Sequence, residues 1–189
     1  MFWNKDIKKN ILTVSAIIRN QRSFAFKLVT AALLALIAAI LQAAGGVIPG
    51  FGMLISPFST VPIIISLLLS QSYGLLSYFL TIFLLLFIQP SELIIFPFTT
   101  GAMAIGIGIG FILFNKGWKV ITFSSLFLCI GICLLLYVLK FPVLGPFLIQ
   151  FKVWNIFVIY LFSLVYCWLW IELVIRLLSK LITGQQGRF

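Results

Sequence analysis

Histidine is absent from this 189-residue chain, and the acids total three against thirteen lysines and arginines. Each shortage removes a chemistry. Zinc hydrolysis draws on His ligands, and intramembrane aspartyl proteolysis needs paired aspartates, whereas Asp6 is the only one here. Glu92 and Glu172 stand far apart in sequence and form no acid/base pair on which an enzyme could run. No Gly-xxxx-Gly-Lys-Ser/Thr loop is present, so any energy from ATP belongs to another chain. The run Gly106-Ile-Gly108-Ile-Gly110 follows no strand and precedes no acid, which excludes a dinucleotide fingerprint. Cys129, Cys133 and Cys167 all lie in apolar stretches and are expected as small core residues, not as disulfide or metal ligands.

Charge as a whole is scarce. Only 8% of residues are charged and 63% are hydrophobic, with a mean hydropathy of +1.26, whereas a soluble domain carries roughly 25% charged residues. Such a surface faces lipid. The formal charge of +10 does not point to nucleic acid, because the basic residues sit in the gaps between apolar runs, as in membrane proteins with a cytoplasmic Lys/Arg excess.

The runs predict an all-α fold: a polytopic membrane protein with a six-transmembrane-helix bundle and an N-terminal amphipathic interfacial segment. Residues 1–27 alternate six basic residues with isoleucine, leucine and valine, suiting a helix on the anionic leaflet. The basic lead is too long for a signal peptide, so it is expected to be retained. Spans are expected over about 28–45, 52–70, 73–88, 93–114, 120–139 and 153–178, making a domain of 28–180 with a cytoplasmic tail over 181–189. The second is ambiguous, because Pro57 and Pro62 divide it and a kinked span or a re-entrant hairpin both fit. Charge counting favours a full crossing. With six spans and an internal N-terminus, eleven Lys/Arg fall inside and two outside; with five spans the division is eight against five. The expected location is the cell membrane with both termini cytoplasmic.

Several residues invite a functional reading. Ala31, Ala35, Ala39 and Ala43 place small side chains along one face of span 1, a surface on which another helix can pack closely, and Ala102, Gly106 and Gly110 do the same on span 4. Glu172 precedes Arg176 by four residues, the spacing of a helical ion pair. Glu92 falls in the turn between spans 3 and 4, where an exposed carboxylate is expected, with a place at the mouth of a substrate site as the sharper alternative. The outer halves of spans 4 to 6 and their loops hold the polar and aromatic groups available to a ligand: Glu92, Thr99, Thr100, Lys140, Gln150, Lys152, Trp154 and Asn155.

With its size, its six spans, the Ala31/Ala35/Ala39 repeat, the Gly/Pro-rich stretch from Gly45 to Gly52 and the segment Ser56-Pro57-Phe58-Ser59-Thr60-Val61-Pro62, the chain resembles the substrate-binding S-component of energy-coupling-factor (ECF) vitamin transporters over residues 28–180. The resemblance implies a non-enzymatic subunit that captures a vitamin or similar micronutrient from outside, beneath a lid formed by residues 45–59, and needs no cofactor. It implies as partners a coupling T-component and two ATPase subunits, with Ala31, Ala35 and Ala39 facing the T-component. A scaffold resembling the rod-shape-determining MreD family is the alternative, distinguished by binding proteins and no small molecule. A channel or secondary transporter would call for an intramembrane charge on an ion path or inverted repeats with broken helices, and neither is clear in the sequence.

Overall fold

The computed structural model describes residues 23–48, 50–145 and 153–186, with the side chains of the final helix described through residue 177. Of the interfacial segment expected over residues 1–27, residues 1–22 lie outside the described residues, as do Gln150 and Lys152. Within them the chain is all-α, and six helices are long and apolar enough to cross a membrane.

The first span, α1 (Phe24–Val47), starts where Ser23 Oγ accepts a hydrogen bond from the Phe26 amide at 3.3 Å, capping one of the amides that a helix start leaves open. It begins four residues earlier than the hydropathy suggested, so Lys27 belongs to the helix. The second span is one continuous helical segment, long and apolar enough to cross a membrane, and not a hairpin. A single helical turn, α2 (Gly52–Ile55), passes through a 3-10 turn (Ser56–Ser59) into α3 (Thr60–Leu69), and Ile55, Ser56, Ser59 and Thr60 all keep helical dihedrals. Pro57 and Pro62 each remove a backbone donor, and the tighter turn lets the chain pass Pro57 without ending the crossing.

The third span is α4 (Gln71–Ile88). The fourth opens with Pro90 at a position where a missing N–H costs nothing, and divides into α5 (Pro90–Phe98) and α6 (Thr100–Leu113). Pro97 lies inside α5, and Thr99 leaves the helical region at φ −116° and ψ −97°. Two hydroxyls attend to the break. Tyr78 donates to the Pro97 carbonyl at 3.2 Å, and Thr99 donates back to the Ile95 carbonyl at 2.8 Å. The fifth span, α7 (Gly117–Cys133), fits against the break because Gly131 meets the Phe98 carbonyl, where any side chain would collide. It ends in a π turn (Leu134–Val138). The sixth, α8 (Val153–Gln186), stays helical through most of the expected tail.

Inside the bundle, contact rests on small and hydroxylated residues, as expected where lipid supplies no hydrophobic drive between helices. Ala31, Ala35 and Ala39 are wholly buried, and α1 packs chiefly along α4. Ser77 Oγ donates to the Ala31 carbonyl at 2.8 Å, and Thr81 Oγ1 reaches the Ala35 carbonyl at 3.2 Å. Ser66 and Ser77 share a hydroxyl contact of 2.6 Å, tying α3 into the same seam. Such approach to a helix backbone requires side chains no larger than alanine. The stripe expected to face a coupling subunit is thus covered by the chain's own third span. Its counterpart on α6 is likewise internal: Gly106 faces Ser124 and Phe127, and Gly110 faces Val120, all on α7.

Candidate functional site

The buried face of α1 runs Ala31, Ala35, Ala38, Ala39, Gln42 and Ala43, so one amide stands among a stripe of methyl groups. Four neighbouring elements meet there. Gln42 Nε2 donates to Glu92 Oε2 at 2.7 Å, while Gln42 Oε1 accepts from Ser59 Oγ at 2.7 Å and from Thr100 Oγ1 at 2.8 Å. The first, second and fourth spans are stitched together by this one side chain.

The geometry fixes the amide's orientation. A carboxylate only accepts, so the amide nitrogen faces Glu92, and the carbonyl oxygen is left to accept from the Ser59 and Thr100 hydroxyls, which can donate. Burial makes the arrangement consequential: Gln42 is 1% exposed, Ser59 is fully buried, and Glu92 and Thr100 are each 7% exposed. A buried polar group left without its partner costs about 1–3 kcal/mol, so the cluster holds its members to one geometry.

Glu92 occupies the first turn of α5, three positions after the Gln89 cap, where an acid suits the positive end of a helix. The turn expected around it is part of a helix, and the side chain is 7% exposed, with Oε2 turned into the bundle. Its second oxygen, Oε1, lies over the last turns of α1. A Cβ built on Gly45 would come within 2.9 Å of Oε1 and 3.2 Å of Ser56 Cβ. Gly45 therefore admits both the carboxylate and the turn that leads into the second span. Among the described residues no hydrogen-bond donor meets Oε1, and the one ion pair is elsewhere, between Glu172 and Arg176 on α8. Beside Ser59, the Thr60 hydroxyl is fully buried and has no hydrogen-bond partner.

Of the residues singled out by sequence, the cluster contains Glu92 and Thr100. Thr99 is buried next to Thr100, but its hydroxyl serves its own helix. Lys140 is exposed and adopts φ 54° just after the π turn. Trp154 is 70% exposed and packs against Phe157 on the outer face of α8, as a ring anchored at a lipid boundary does. Asn155 is half-buried and interacts with the Tyr137 side chain, apart from the cluster's hydrogen bonds. The expected Glu172–Arg176 contact is present, with the Arg176 side chain 75% exposed. Cys129 and Cys167 are buried, Cys133 half-buried, and all three are free thiols.

Sequence reasoning passed over Gln42, Ser59 and Thr60 as site residues. The signal for Gln42 was a lone amide four residues beyond Ala38, on the same helix face as the alanines.

No family model, no curated protein and no solved structure matches the chain.

Proposed function

We propose that this protein is the substrate-capturing subunit of a membrane importer, as the resemblance to ECF S-components implies, taking up a vitamin-sized micronutrient at the cluster around Gln42 and Glu92. One observation carries the reading: four buried polar side chains from three spans, among them the only buried amide and the only buried carboxylate of the described residues, converge at a single point. Polar groups within a membrane domain are costly and mark ligand or ion positions, and small-molecule sites are largely apolar with a few placed polar groups.

The cluster lies at the end of the bundle where α1 finishes and the second and fourth spans begin. Under the orientation favoured by Lys/Arg counting this is the extracellular end of a cell-membrane protein, the side from which an importer receives substrate. The segment expected as a lid, residues 45–59, is at that end, as the last residues of α1 and the first turns of the second span. A T-component and two ATPase subunits would supply the coupling. Because the alanine stripe is occupied within the chain, docking falls to a different surface.

Native mass spectrometry of the protein, purified in mild detergent from its own host, tests the reading. A bound small molecule together with ATPase partners supports it. An empty protein accompanied by cell-envelope proteins would replace it with the scaffold alternative.

A further inference from the structure

We infer that the captured substrate is a small organic cation, whose charged nitrogen donates to Glu92 Oε1. The inference rests on the capture reading above and concerns what that same site selects.

The cluster's hydrogen-bond accounting carries it. Gln42 Oε1 is filled by two hydroxyls, so the amide presents only N–H toward Glu92 and imposes an acceptor at Oε2. Glu92 is thereby held in place by a neutral donor, in a setting where an isolated carboxylate is expensive. Ordinarily a lysine or arginine would answer it. Among the described residues none does: the single ion pair involves Arg176, and no donor reaches Oε1. Among the described residues the acid is positioned by its neighbours and meets no counter-charge, which is the state of a site whose cation arrives from outside.

The chemistry of the donor set narrows the class. A divalent metal ion requires several oxygen, nitrogen or sulfur ligands, and no group of three His, Cys, Asp or Glu occurs among the described residues. Gln42 Oε1 is already saturated. An anionic ligand would add like charge against Glu92. A protonated amine, amidine or N-heterocycle bearing an N–H satisfies Oε1 with one charge-assisted hydrogen bond. The Thr60 hydroxyl, buried beside Ser59 without a partner, is a further polar group at this end of the bundle.

The test uses the full-length protein in mild detergent, incubated at pH 7 with the small-molecule fraction of yeast extract. After washing, retained compounds are identified by liquid chromatography and mass spectrometry in both polarities. The expected outcome is a retained compound carrying a basic nitrogen charged at pH 7. Glu92→Gln, which keeps an acceptor oxygen for Gln42, should retain at least tenfold less, and Glu172→Gln should retain as much as the parent. A retained neutral or anionic compound, or one that Glu92→Gln holds equally well, overturns the cation assignment and leaves the capture reading standing. Retention of nothing by the parent protein overturns the capture reading and the assignment with it. Should Glu92→Gln fail to fold, the charge of the compound held by the parent protein decides alone.

Discussion

Gln42 and Glu92, fifty residues apart in sequence, meet side chain to side chain at 2.7 Å and join the end of the first span to the start of the fourth. Gln42 is also the shared acceptor of Ser59 and Thr100, so its loss strands three partners at once. Gln42→Leu should destabilise the protein by about 3 kcal/mol, the low end of what several orphaned buried groups cost together. The measurement is unfolding in mixed micelles with an increasing denaturing fraction. Adding Glu92→Leu should recover part of the loss, because the stranded carboxylate disappears; two fully additive penalties would show that the pair is not coupled.

The alanine seam yields a prediction of opposite character to the one its sequence motif invites. A docking surface would tolerate bulk in the isolated subunit and fail only on assembly. Ala35 is instead wholly buried, with its carbonyl receiving Thr81 Oγ1. Ala35→Leu should therefore destabilise the isolated chain by about 1–3 kcal/mol through overpacking, and Ser77→Ala by about 0.6 kcal/mol, a typical value for a hydrogen bond between membrane helices. Unaltered stability of purified Ala35→Leu would place that face at the surface.

Much of this architecture was legible because its cause is compositional. Runs of apolar residues longer than a bilayer core, separated by Pro, Gly and Lys, leave few alternatives to six helices, and the charge bias chose a crossing for residues 52–69 where Pro57 and Pro62 left doubt. What hydropathy could not supply was direction around each helix axis. Ala35 reads the same whether it faces a partner protein or the chain's own α4. Glu92 next to Pro90 reads as a turn until the helix starting at Pro90 carries it inward. Gln42 needed a partner fifty residues away to acquire meaning. The division of the fourth span at Thr99 was missed for a similar reason: the break after Pro97 is stabilised by Tyr78 and by the approach of Gly131, both distant in sequence.

Two glycines near the end of the first span should respond differently to a methyl group. Gly45→Ala places its Cβ within 2.9 Å of Glu92 Oε1 and 3.2 Å of Ser56, so the carboxylate or the overlying turn must move. At Gly50 the surroundings are open, and the cost is confined to a backbone at φ 77°, about 1 kcal/mol for an L-residue. Substrate retention should fall at least tenfold in Gly45→Ala and stay within about twofold in Gly50→Ala, a comparison that equilibrium binding to purified protein makes directly. Equal losses would show that closure of the whole segment matters, and not the space above Gly45.

Orientation is open to direct chemistry, because the charge bias that sets it has a geometric consequence. Phe114–Lys116 joins the fourth and fifth spans, and Lys140 follows the fifth, so the two positions lie at opposite ends of α7. With the N-terminus inside, Asn115 is cytoplasmic and Lys140 extracellular. Cys129 and Cys167 are 8% and 0% exposed, which keeps their background reaction with a maleimide low, and Cys133→Ser removes the half-buried third thiol. In that background Lys140→Cys should label with a membrane-impermeant maleimide in intact cells, and Asn115→Cys only after permeabilisation. The reverse pattern would invert the bundle, put the Gln42–Glu92 cluster at the cytoplasmic end and exclude capture from outside, since the cluster and Lys140 lie on the same side of the membrane under any six-span topology.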